Sequence, residues 1–264
     1  MSAPVPTSEH SDLALRAAVG VALIALAAAA MWVGGMGFWL IVAVGGVLMM
    51  GEWADLAGVG AGTRRLSQYS LFVAITAMCP WAVGPGWFAL GLLGGSTLFT
   101  LAVTRNMRLA AGTLYVGLPV LALLVLRDRP QGVLFAFWAM ALVWACDVGA
   151  YFAGRAIGGP RLAPVISPNK TWAGLVGGVI AAAGFGWALN AYGLPLPLAI
   201  ATPLLAALAV VGDLYESWIK RRAGVKDSGN LLPGHGGLMD RLDGLVPVAP
   251  VAALIVLLSG AGAA

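Results

Sequence analysis

The sequence predicts an all-α, polytopic integral membrane protein: about nine transmembrane helices in a single membrane domain, residues 1–264, with the N-terminus cytoplasmic and the C-terminus outside. Three observations predict it. The chain is 60% hydrophobic and 10% charged, with a mean hydropathy of +0.91, whereas a soluble domain carries about 25% charged residues. Apolar runs of about the 20 residues needed to cross a bilayer recur along its length. The bases then divide unevenly between the two sides that nine crossings define. Thirteen of them fall in the segments on the N-terminal side and only Arg127 and Arg129 on the other, as the positive-inside rule requires.

Residues 1–12 are polar, hold Pro4 and Pro6, and read as a disordered tail. The apolar runs lie near 14–33, 37–58, 68–84, 87–104, 109–126, 132–156, 171–192, 196–219 and 244–262. The first resembles a signal peptide in length. Its flank carries Glu9 and Asp12 as well as Arg16, and another long run follows at once, so it reads as a retained helix. Residues 13–108 read as the N-terminal helices and 109–264 as the C-terminal helices, which carry the most polar stretch. Glu52 and Asp55 stand one turn apart late in the second run. An acid inside a span is a site candidate, but both approach the cytoplasmic end, where simple snorkelling competes. The sixth run ends with Asp147, Tyr151 and Arg155 at four-residue spacing, one face of one helix. A polar cavity and a structural hydrogen-bonded pair both explain that face. Cys146 and Cys79 lie in apolar runs and read as small buried thiols.

Ser167-Pro168-Asn169-Lys170-Thr171 carries helix-start signals ahead of the seventh run. A helix start favours anions, and Lys170 adds a cation. The glycines and alanines of the seventh run read as close helix packing.

The most polar stretch, Asp213 to Asp243, holds 10 of the 26 charges in 31 residues. Asp213, Glu216, Ser217 and Lys220 share one helix face. An unpaired Asp213 in an apolar helix costs about 2.5–3.5 kcal/mol on insertion scales, which a metal ion or a cationic partner would offset. Glycines at 224, 229, 234, 236 and 237 then break the chain and let backbone N–H groups turn toward an anion. Asp240-Arg241-Leu242-Asp243 follows at the start of the last run. Carboxylates for a hard cation, with bases and a glycine nest for phosphates, make a kit for phosphoryl or nucleotidyl transfer.

The ordered pattern Ser217-x-Ile219-Lys220-Arg221, Lys226-Asp227, Leu232-Pro233-x-His235-Gly236-Gly237 and Asp240-Arg241-x-Asp243 resembles the signature of the phosphatidate cytidylyltransferases (CDP-diacylglycerol synthases), prokaryotic type. It shows no departure over its 27 positions. Asp147-x-x-Ala150-Tyr151 resembles a second segment of that family, and Ser167-Pro168-x-Lys170-Thr171 a third; where many members carry another lysine, this chain has Asn169.

The resemblance implies that CTP and phosphatidate react to CDP-diacylglycerol and pyrophosphate at the cytoplasmic side of the cell (inner) membrane. It implies Mg²⁺ held by Asp213 and Asp240, with room for a second cation. Asp227 and Asp243 would support the metal or orient bases. Lys220, Arg221, Lys226 and Arg241 would hold phosphates, and His235 either donates to the leaving pyrophosphate or orders the glycine turn. Asp147, Tyr151, Lys170, Ser217, Gly236 and Gly237 would contact substrate. No nucleic acid is expected as a partner, because the bases sit in membrane loops rather than on a basic domain; a homodimer is left open. The rival class is an ion-coupled transporter, which nine helices and buried acids also allow. It would gather its charge at the midplane rather than at one mouth.

Overall fold

The computed structural model describes residues 9–232 and 236–260, so the expected tail at 1–8, together with Pro233, Gly234 and His235, lies outside the described residues. Among the described residues ten helices follow in order: α1 (Glu9–Val33), α2 (Gly35–Leu56), α3 (Ala61–Ala77), α4 (Trp87–Thr104), α5 (Met107–Arg127), α6 (Gly132–Ile157), α7 (Trp172–Ala191), α8 (Leu196–Arg222), α9 (Met239–Leu242) and α10 (Leu245–Leu258). Six of them, α2 and α4 to α8, are long and apolar enough to cross a membrane.

The centre is α5. It is apolar on all sides and 78% of its most apolar stretch is buried, against 17% for α4 and 22% for α7. A helix greasy all round belongs inside a bundle or in lipid; the high value puts α5 inside, and the low ones leave α4 and α7 facing outward. Around α5 pack α2, α4 and α10, and α10 in turn packs on α8. The tightest pair is α6 with α7. A Cβ on Gly177 would stand 2.1 Å from Ala153 Cβ, and one on Gly149 would stand 2.4 Å from Ala181 Cβ. Small residues therefore let these two backbones meet, as the glycine-rich seventh run foretold, and the contact fixes Asp147 relative to the start of α7.

Three elements differ from expectation. α1 begins at Glu9, inside the stretch read as tail. The third run, expected at 68–84, is a helix from Ala61 to Ala77. Arg64 and Arg65 looked like loop charges, but the Arg64 guanidinium lies on α3 and pairs with Asp55 Oδ1 at 3.2 Å. The end comes early because Pro80 and the glycines at 84 and 86 cannot continue a helix. The all-α expectation also meets a hairpin: β1 (Arg161–Ala163) pairs antiparallel with β2 (Ser167–Thr171). Both strands lie between Gly158-Gly159-Pro160 and α7, a stretch too short and broken for a helix. Pro168 is tolerated because a two-stranded hairpin consists of edges.

Candidate active site

Three chain segments converge at one end of the bundle: the hairpin before α7, the C-terminal half of α8, and the loop that runs through α9 into α10. The hairpin delivers Lys170. Thr171 closes β2 and caps α7, its hydroxyl accepting from Gly174 N–H at 3.0 Å, and this seats Lys170 where its ammonium pairs with Asp213 of α8. Ser217, one turn along α8, donates to Asp213 Oδ1 at 3.4 Å.

Gly212 lets the loop reach α8. A Cβ there would lie 2.5 Å from the Asp243 carbonyl oxygen and 2.7 Å from Pro247 Cγ. Only a hydrogen fits, so the start of α10 sits directly on α8 beside Asp213. Asp243 Oδ1 accepts from Gly244 N–H at 2.7 Å. Burial first, then the charge of Asp213, pushes the Asp243 carboxyl up to about 7; the Gly244 N–H opposes them, Asp147 adds to the rise and Lys170 pulls against it. Asp147 therefore belongs to the same electrostatic group although it comes from α6. Tyr151 is exposed and accepts from Arg155 Nη1 at 3.1 Å, so on that helix face the phenol partners the guanidinium rather than Asp147.

A second cluster adjoins the first. Lys220 reaches Asp240 Oδ1 at 2.5 Å and Glu216 Oε1 at 3.2 Å. Asp240 Oδ2 accepts from Ser228 N–H at 2.9 Å and Gly237 N–H at 2.8 Å, with Ser228 Oγ at 3.1 Å. Burial would raise the Asp240 carboxyl, but the Lys220 hydrogen bond and the Gly237 and Ser228 N–H groups outweigh it and hold the group below the usual carboxylate range. Glu216 is fully buried, with the Lys220 ammonium as its neighbour.

Glu52, left between two readings by the sequence, is settled by its contacts. It is 5% exposed. Its Oε1 accepts from Leu238 N–H at 2.8 Å, and its Oε2 accepts from Met239 N–H at 2.8 Å with Ser228 Oγ at 3.0 Å. It is no snorkelling interfacial acid; it ties the loop to α2. A Cβ on Gly237 would fall 2.1 Å from Ser228 Oγ and 2.7 Å from Glu52 Oε2, so the loop needs glycine there to lie against both.

Arg221, Lys226, Asp227 and Arg241 sit exposed on the rim; Arg221 Nη1 donates to Val225 O at 3.2 Å. Gly236 adopts φ +81° and its carbonyl accepts from Leu232 N–H at 2.9 Å. His235 lies outside the described residues. Cys146 and Cys79 are buried free thiols. Sequence reasoning missed Ser228, and it placed Glu216 on the right helix face without giving it a role. Among the described residues no three His, Cys, Asp or Glu side chains converge as a metal cluster. Mg²⁺ asks for only one or two carboxylates beside phosphate oxygens. Asp213 and Asp240 fit that demand, each already holding a lysine ammonium in the place of a cation.

Residues 14–259 match the model of the cytidylyltransferase family. The chain is 41% identical over 233 residues to the phosphatidate cytidylyltransferase of Brucella suis biovar 1 (strain 1330), with 83% of each chain covered. It is 35% identical over 243 residues to that of Pseudomonas aeruginosa, covering 83% of this chain and 88% of the relative. Against the Bacillus subtilis (strain 168) protein of the same name it is 40% identical over 157 residues, 58% of each.

Proposed function

The chain belongs to the cytidylyltransferase family, and from that premise we propose that it joins CTP and phosphatidate to give CDP-diacylglycerol and pyrophosphate, the activity its relatives are named for. The observation that carries the reading is the pair of lysine–aspartate contacts, Lys170 with Asp213 and Lys220 with Asp240, gathered from three segments at one end of a membrane bundle. Two anions must meet for this reaction, and the site supplies exchangeable positive charge where they would meet.

A phosphate oxygen of the lipid attacks the α-phosphorus of CTP in line. The new P–O bond forms as the bond to the bridging oxygen breaks, and pyrophosphate leaves with that electron pair. The lipid phosphate is already ionised, so no general base is assigned. Asp213 and Asp240 would hold Mg²⁺, which when bound would supply positive charge against the triphosphate. Lys170 and Lys220 are placed to exchange carboxylate for phosphate oxygens, and Arg221, Lys226 and Arg241 on the rim would bind the outer phosphates. Asp243 and Asp147 complete the acidic wall beside Asp213. Glu52 and Ser228 hold the loop in register, which keeps Asp240 on Lys220, on the same face of α8 as Asp213.

For topology the reading is nine crossings, N-terminus cytoplasmic and C-terminus outside, with the site facing the cytoplasm of the inner membrane. The uneven division of bases supports it.

Purified protein given phosphatidate and radiolabelled CTP should produce a labelled lipid with Mg²⁺ and none after chelation. Asp213→Asn and Asp240→Asn should each abolish the label while the protein still inserts in the membrane. Retained turnover in either variant removes that residue from the metal site. Solute uptake by reconstituted vesicles without CTP consumption would favour a transporter instead.

A further inference from the structure

A cavity opens on the side of α8 opposite Asp213. Asp213, Glu216, Ser217 and Lys220 lie on one face of that helix, and Tyr215, Trp218, Ile219 and Arg222 lie on the other at the same three- and four-residue spacing. The second face walls a cavity of about 220 Å³ with Trp53 and Leu56 from the end of α2 and Arg108 from the first turn of α5.

Its construction is specific. Trp53 Nε1 donates to the Arg108 carbonyl at 2.9 Å, joining α2 to α5. A Cβ on Gly112 would fall 2.2 Å from the indole, so a glycine makes the seat for that ring. Trp53, Tyr115, Tyr215 and Trp218 form a chain of rings with centroids 4.6, 5.7 and 5.9 Å apart. The Arg222 guanidinium stands 4.8 Å over Trp218. Arg108 and Arg222 thus both line the cavity, no acid lines it, and among the described residues neither arginine makes a salt bridge. Under the aromatic floor the Tyr115 hydroxyl is buried without a hydrogen-bond partner.

We propose that this cavity binds the phosphate-bearing headgroup of an anionic diacyl lipid, separately from the Asp213 and Lys220 face on the other side of α8. Its level in the fold argues for a lipid rather than a soluble anion. It lies where three helices apolar enough to cross a membrane end or begin, at Leu56, Met107 and Arg222. There a headgroup meets the arginines while its glycerol and upper chains meet indole, phenol and leucine. Aromatic rings and arginines at that depth suit an amphiphile, and guanidinium groups pair with phosphate through two parallel hydrogen bonds.

The probe is a phosphatidylglycerol with one fluorescent acyl chain, a phosphodiester lipid that is not the substrate, titrated into the full chain in neutral detergent micelles. Saturable association is expected, competed by unlabelled phosphatidylglycerol and not by phosphatidylcholine. Arg108→Gln with Arg222→Gln should weaken it by about thirtyfold, from roughly fivefold per arginine near an anionic surface. The same double change should leave cytidylyl transfer in neutral micelles intact, which also reports a folded protein. Arg108→Lys with Arg222→Lys should keep most of the binding, and Asp213→Asn all of it. Equal affinity in the double glutamine variant and the unaltered protein overturns the proposal. So does displacement by inorganic phosphate at equal concentration, which would make this a free-anion site. Because the readout is lipid association, its failure leaves the transferase reading standing, and loss of transfer in Asp213→Asn leaves this one standing.

Discussion

Removing the Glu52 carboxylate tests how far the loop depends on a residue outside the signature. Glu52→Ala deletes two acceptor oxygens that together take Leu238 N–H, Met239 N–H and the Ser228 hydroxyl. Hydrogen bonds to a charged group are worth about 1.5–3 kcal/mol each net. The three share one carboxylate, and water can reach the opened loop, so a total of about 3–5 kcal/mol is a fair figure. The loss falls on the loop, because helix packing is untouched. At about 1.4 kcal/mol per decade, the closed loop becomes about a hundredfold to several thousandfold less populated relative to the open one. Turnover with CTP and phosphatidate should fall at fixed substrate, by up to about a hundredfold or more once the open loop becomes the main form, with insertion and helical content unchanged. Limited proteolysis should cut faster within 223–238. Glu52→Gln keeps an acceptor but turns an N–H₂ toward N–H donors, so its loss should be intermediate. Unaltered turnover and unaltered proteolysis in Glu52→Ala would refute the reasoning.

Two further outcomes follow from the same geometry. Gly212→Ala places a Cβ 2.5 Å from the Asp243 carbonyl, so α10 must move away from α8; transfer should drop, with kcat affected more than KM, while size-exclusion elution stays the same. The Asp243 carboxyl is raised to about 7 by burial and by Asp213, so between pH 4 and 7 the folded chain holds a proton that the unfolded one has released. Metal-free protein in detergent should therefore lose thermal stability as pH rises through that window and level off above it. In Asp243→Asn that slope should flatten, and an unchanged slope assigns it to another group.

The helices were legible because apolar runs and charge breaks mark them, and the face of α8 carrying Asp213 and Lys220 was legible because spacing alone sets it. The small residues of α7 were legible as packing for the same reason. Sequence pattern reports neighbours along a helix and is silent on who meets across the bundle. Glu52 therefore stayed between two readings: its partner Ser228 stands 176 residues away. The start of α3 was misplaced because Arg64 and Arg65 resemble a loop until Asp55 is seen beside Arg64. The hairpin was missed because a strand of three residues against one of five carries too little alternation to register. Lys170 was read as a cation near a helix start; that it sits on Asp213 came only from the fold.

The bond between Glu52 and Ser228 also bears on how the molecule is made. A ribosome adding about 5–20 residues per second takes roughly 9 to 35 s to travel the 176 residues between them. Throughout that interval α2 is already synthesised and its carboxylate waits without the donors it will later hold. A chain released before Ser228 lacks the donors that Glu52 takes among the described residues. Such a product carries an unanswered charge in an apolar setting, which is costly in a membrane.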